Sequence, residues 1–134
     1  VMQGATSACA AVAGILDQQL IDIEDYQWTP YKHLWDNFKG LKYVYHKKSS
    51  LTPQMINLPN VDMMLSDSYH NYDHVIKELK IHAQTVNKYI IFHDTSLPDD
   101  RVYRAVTDFC MTNSAWQVIR RDENSVGFTT IKRI

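Results

Sequence analysis

Three short apolar runs in this chain each stop on a carboxylate, and that repetition limits what the chain can fold into. Leu20-Ile21-Asp22-Ile23 is halted by Glu24 and Asp25, Val61 to Ser66 ends on Asp67, and Tyr89-Ile90-Ile91-Phe92-His93 ends on Asp94. Runs this short have strand length, and the segments between them carry helical spacing. Thr29-Pro30 pairs a capping threonine with proline at the first helical position, and Tyr31, Leu34, Trp35 and Phe38 follow on one face until Gly40. Asn71 to Ala83 sets Val75, Ile76, Leu79 and Ala83 on one side against Lys77, Glu78 and Lys80 on the other. Asp99 or Asp100 can cap a further helix through Cys110, with Val102, Ala105, Val106 and Phe109 inward. At the amino end, Ala8 to Leu16 reads as a buried helix behind Thr6 or Ser7, ending near Asp17. Tyr43-Val44-Tyr45 adds a strand, and 115–119 with 125–131 form a hairpin around Asp122-Glu123-Asn124. Strands alternating with helices imply βαβ units on a mostly parallel sheet, here closed by an antiparallel hairpin, in one α/β domain spanning 1–134.

Charge and composition narrow the partners. Of 134 residues, 14 are basic and 15 acidic, for a net charge of -1. That balance supplies no field for nucleic acid or an anionic membrane, so a small-molecule ligand is expected, and a homo-oligomer is compatible with it. No apolar run approaches the ~20 residues of a membrane-spanning helix. Cys9 and Cys110 stand far apart without C-x-x-C spacing, so neither a disulfide framework nor a cysteine zinc site is indicated, and a reducing cytoplasm is expected. The opening Val1-Met2-Gln3-Gly4 has no basic n-region, which argues against a signal peptide, and it resembles a strand whose beginning has been removed. Four glycines make about 3%, against a usual ~7%.

Ligands of parallel α/β sheets sit outside the carboxyl ends of the strands, so the three terminal acids are the place to look. Singly, each reads as a turn or cap residue; together they suggest a site. An acid after the second strand can hold both ribose hydroxyls of a nucleoside, and Gly4 lies 18 positions before Asp22, close to the ~20 of dinucleotide folds. Asp67 and Asp94, at neighbouring strand ends, would have to share a proton or a cation, for which Mg²⁺ is the usual solution. His70 and His74 have a spacing that zinc enzymes use, yet no third ligand is close in sequence, and chance spacing is the preferred reading. Trp28, Tyr31, Trp35, Tyr43 and Tyr45 read as packing rather than as an aromatic substrate wall. Cys110 beside Phe109 reads as buried filler.

Gly4-Ala5-Thr6-Ser7-Ala8, the strand ending in Asp22, Asp67-Ser68-Tyr69-His70-Asn71-Tyr72, and above all Ile90-Ile91-Phe92-His93-Asp94-Thr95 resemble the Rossmann-like (class I) S-adenosylmethionine-dependent methyltransferases. The nearest subgroup is the metal-dependent small-molecule O-methyltransferases, which often carry D-G-x-H-x-Y after the fourth strand and H-D-T after the fifth. Arg101-Val102-Tyr103-Arg104-Ala105-Val106 is similar to the subgroup's V-R-R-A-V helix. The resemblance implies a three-layer sheet, S-adenosylmethionine and Mg²⁺ as cofactors, and methyl transfer to a hydroxyl of a small molecule or sugar. By position, it implies that Gly4, Ala5, Thr6 and Ser7 approach the methionine part of the cofactor and that Asp22 holds its ribose. Ser49 would lie near the adenine, with Asp67 and Tyr69 also at the cofactor. Asp67, Asp94 and His93 would ligate the metal, and His70 would be the general base. Gln3 beside a single glycine, and Lys47-Lys48-Ser49 where the family often shows G-D-S, depart from the pattern. Solvent-facing lysines fit better than inward ones beside a cationic cofactor. These departures motivate the alternative of a degenerate, non-catalytic binding or assembly domain.

Overall fold

The computed structural model describes residues 10–22, 37–52, 57–96 and 99–134, in two compact units that divide between Thr52 and Pro53. The expected loop Gly4 to Ser7 and the aromatic helix that follows Thr29 lie outside the described residues, apart from the latter's last turn.

The first unit is built on two parallel strands, β1 (Asp17–Asp22) and β2 (Lys42–Lys47). The helix expected to reach Leu16 ends earlier. Gly14, at φ 89°, takes the left-handed conformation that closes a helix, and its amide bonds back to the Ala11 carbonyl at 3.0 Å. The strand then starts at Asp17, three residues ahead of the Leu20 read from the apolar run, because Gln18 is buried through its own contacts and its amide donates to the Ile15 carbonyl at 2.8 Å. A second polar link, Gln19 Oε1 with His46 Nε2 at 2.9 Å, ties β1 to β2.

The second unit contains β3 (Val61–Ser66), α1 (Tyr72–His82), β4 (Val86–His93), α2 (Arg101–Thr112), β5 (Trp116–Asp122) and β6 (Phe128–Arg133). Its sheet has the order β3-β4-β6-β5. β3 and β4 are parallel, while β6 is antiparallel to both β4 and β5, so the last strand of the chain inserts between its hairpin partner and the parallel pair. The second hairpin strand starts at Phe128, later than expected, because Ser125 and Gly127, at φ 58° and 79°, belong to the turn. Both helices share one core: Val75 and Leu79 of α1 and Val102, Ala105, Val106 and Phe109 of α2 pack with Ile90, Phe92, Trp116 and Ile131. Burying each large side chain in this set stabilises the unit by about 1.5–3 kcal/mol. The other side of β3 presents Met63 and Leu65 to solvent, so the described residues of this unit form a helix layer and a sheet layer. A third layer, which the sequence led us to expect, is not among them.

α1 starts as expected. Asn71, at φ -120°, accepts hydrogen bonds from the amides of Asp73 and His74. α2 does not: Asp100 occupies the cap position at φ 49° without a side-chain cap, and its carboxylate instead accepts from Arg121 at 3.1 Å. Arg121 also stacks on Tyr103, 3.7 Å from the ring centroid, which joins α2 to the hairpin. Among the described residues no helix is long and apolar enough to cross a membrane.

Candidate functional site at the carboxyl ends of β3 and β4

Pairing Ser66 with Phe92 in parallel register brings the residues just beyond them, Asp67 and His93-Asp94, to the same edge of the sheet. Phe92 faces the helices, so His93 faces the other way, where its ring lies 4.8 Å from that of Phe128 on β6. Asp94 then turns through a left-handed backbone, φ 58°, which aspartate tolerates better than most residues. The turn is held by the hairpin: the Thr95 and Ser96 amides donate to the Gly127 and Val126 carbonyls. A Cβ at Gly127 would come within 2.2 Å of Ser96 Oγ, so glycine there lets the hairpin tip close over the turn.

These elements bring together four of the residues singled out from the sequence. Asp94 Oδ2 lies 2.8 Å from His70 Nε2 and 2.9 Å from His93 Nδ1. Asp67 Oδ1 lies 3.4 Å from His93 Nδ1 and 3.7 Å from His70 Nε2. Each imidazole therefore sits between the two carboxylates. Asp94 is nearly buried while Asp67 and His70 are open to solvent, so one carboxylate is fixed and the other accessible. Because a carboxylate only accepts, these contacts place the ring protons on His70 Nε2 and His93 Nδ1 in the neutral imidazoles. The ligand atoms of Asp67, His70 and Asp94 all fall within 4.8 Å of one another. Tyr69 is 71% exposed and meets His74 edge-on at 5.9 Å.

His70 and His74 take different partners. His74 Nε2 turns to Glu78 Oε1 at 3.7 Å. Glu78 corrects the sequence reading: it was assigned to the polar side of its helix, yet it is 2% exposed. The cause is a set of donors from β3 and the loop after it, since Ser66 Oγ and Ser68 Oγ both donate to Glu78 Oε2, at 2.9 and 2.8 Å. Two serines spaced i, i+2 around Asp67, with an acid one helical turn beyond His74, were the available signal.

The remaining expected residues belong to the first unit. Asp22 closes β1 opposite Lys47 of β2. Ser49 follows β2 in a tight turn, its hydroxyl accepting from the Leu51 amide at 3.2 Å. Lys47 and Lys48 are exposed, as expected for solvent-facing lysines. In the second unit, Cys110 is half-buried, which pushes its thiol up to about 11.

No protein-family model matches the sequence, and no curated protein is similar enough in sequence to count as a relative. Solved structures do match. A protein provisionally described as an rRNA methylase, from Clostridium thermocellum, overlays with TM-score 0.69 at 14% identity, covering 98% of this chain and 84% of its own. An rRNA methylase from Streptococcus thermophilus gives TM-score 0.67 at 6% identity, covering 98% and 81%. The chain shares the fold of these two methylases. A Podospora anserina methyltransferase bound to S-adenosylhomocysteine, TM-score 0.57 at 12% identity over 88% of this chain and 60% of that one, shares it. The mixed α/β architecture read from the strand-helix alternation is therefore the one these methyltransferases use.

Proposed function

We propose that this chain transfers a methyl group from S-adenosylmethionine to a hydroxyl oxygen of a small molecule or sugar, with His70 as the general base. The observation that carries this reading is the 2.8 Å contact between His70 Nε2 and the nearly buried Asp94. A fixed carboxylate on one ring nitrogen holds the tautomer and leaves Nδ1 as the basic atom, the logic by which acid-histidine pairs activate hydroxyls. When bound, S-adenosylmethionine supplies an electrophilic methyl on a sulfonium. The acceptor's proton passes to His70 Nδ1 as its oxygen forms the new C–O bond and the S–CH₃ bond breaks, leaving the neutral thioether. Asp94 offsets the positive charge that His70 gains. In this reading Asp22 is assigned to the cofactor ribose, Gly4 to Ser7 to its methionine part and Ser49 to its adenine, with Asp67 and Tyr69 also at the cofactor.

The close donor set supports metal assistance as a second reading. Adjacent ligand atoms of an octahedral ion bound at ~2.1 Å lie about 3.0 Å apart. The 2.8 and 3.7 Å separations of His70 Nε2 from Asp94 and Asp67 bracket that value. Here His70 would be a ligand rather than the base, and His93 would orient Asp94 through Nδ1. An imidazole among the ligands suits a borderline ion such as Zn²⁺, Fe²⁺ or Ni²⁺ better than the Mg²⁺ expected from the sequence.

Two of the structural neighbours are named for rRNA, and a ribose 2′-hydroxyl is itself a sugar hydroxyl. A net charge of -1 provides little attraction for RNA phosphates, which favours a small acceptor. Titration calorimetry with S-adenosylhomocysteine tests the proposal. Binding is expected; no heat at millimolar ligand would overturn it in favour of a non-catalytic domain. Methyl-transfer assays with sugar, phenol and RNA acceptors, with and without chelator, then separate acceptor classes and the two roles of His70.

A further inference from the structure

Glu78 is absorbed by neither reading above: it is an ionisable side chain buried among apolar neighbours, where Val75 and Leu79 flank it on α1. A carboxylate in such a place is costly unless it is hydrogen-bonded. Ser66 and Ser68 supply two of its bonds, both to Oε2. They are the residues immediately before and after Asp67. In an extended segment, alternate side chains point to opposite sides. A group that pulls on 66 and 68 from the helix side therefore turns 67 outward, the side on which His93 meets Phe128. His74, one helical turn ahead on α1, also approaches Glu78, and Asn71 caps the same helix. The loop that carries Asp67, Tyr69 and His70 is thus held at its β3 end by Glu78 and at its α1 end by Asn71.

We propose that Glu78 is a positioning residue for the Asp67–His70 loop. It clamps the hydroxyls on both sides of Asp67, so that this carboxylate and His70 meet His93 and Asp94. The inference rests on the reading of that cluster as the reactive site. Ser68 gains a role from it, since its hydroxyl donates to Glu78 Oε2 from beyond the strand end.

Glu78→Leu removes both acceptor oxygens while keeping side-chain volume, Glu78→Gln restores one, and Ser68→Ala removes one donor from the loop side. Two readouts separate positioning from general packing. The first is amide exchange at Asn71, whose N–H bonds to the Tyr69 carbonyl at 2.7 Å, measured against Ala83, whose N–H bonds to the Leu79 carbonyl at 3.0 Å. The second is methyl-transfer kcat against cofactor KM. Expected for Glu78→Leu is roughly tenfold faster exchange at Asn71 with Ala83 unchanged, and a fall in kcat of about 10–100-fold that exceeds any rise in cofactor KM, the range found when groups behind a reactive shell are removed. Glu78→Gln recovers most of both, and Ser68→Ala shows the same pattern more weakly. Equal acceleration at Asn71 and Ala83, or none at Asn71 in either Glu78→Leu or Ser68→Ala, overturns the proposal. Should Glu78→Leu fail to fold, Ser68→Ala decides it. If the wild-type chain transfers no methyl group, the proposed function fails, while the exchange measurements still decide the role of Glu78.

Discussion

Each of the two units contains a pair of parallel strands, and the two pairs end differently. β1 and β2 finish on Asp22 and Lys47, register partners of opposite charge. β3 and β4 lead into Asp67 and Asp94, two acids of like charge with His70 and His93 between them. Opposite charges at neighbouring positions offset each other while both groups are ionised. Two carboxylates do not: they require protons or a cation nearby, and the imidazoles are groups that can supply and accept protons near neutral pH. In the proposed reading the first strand end holds the cofactor and the second carries the chemistry.

The largest effect that would break this contrast comes from Asp94. Asn tolerates the left-handed backbone at this position, so Asp94→Asn keeps the turn while removing the charge that holds His70. Turnover should fall about 10²–10⁴-fold, the usual contribution of a positioned acid-base group. Asp22→Ala should instead weaken S-adenosylhomocysteine binding, read by calorimetry, with kcat at saturation retained. Equal losses of kcat in both variants would erase the distinction between the two strand ends. A smaller effect is expected at the hairpin. Gly127→Ala places a methyl group against Ser96 at φ 79°, and strain of this kind costs about 1–3 kcal/mol. Thermal unfolding should register the cost, and turnover should drop with it, because the same turn carries Asp94. The smallest effect is at Cys110. Its thiol is raised to about 11 by burial, so the neutral form persists through ordinary pH and the thiolate forms only as pH climbs toward that value. In a Cys9→Ser background, iodoacetamide labelling of Cys110 should be negligible at neutral pH and should accelerate steeply with alkali. Rapid labelling at neutral pH would mean that the second unit opens on its own.

Much of the second unit was legible from the chain. The start of α1 at Asn71, Val75 and Leu79 as its inner face, the apolar Ile90 to Phe92 strand and the closing hairpin all follow local rules of periodicity and turn chemistry. Glu78 was not: its spacing puts it on the inner face with Val75, Leu79 and His82, but a carboxylate reads as surface, and the serines that help to offset its burial come from a distant segment. Asp100 looked like a helix cap, yet Arg121, distant in sequence, takes its carboxylate. The amino-terminal helix overran its true end because Gly14 was read within an apolar stretch rather than as the left-handed residue that closes it.

The sequence by itself determined that strands end on acids, since hydrophobic runs and their stops are local properties. It also pointed to Asp67, His70, His93 and Asp94 as candidates. Tertiary structure alone decided how they meet. Parallel register brings Asp67 beside His93-Asp94, the positive φ of Asp94 turns its carboxylate between two imidazoles, and the Glu78 contacts fix which way Asp67 faces. Each of these joins residues from different elements, and no local pattern encodes a distance across a sheet.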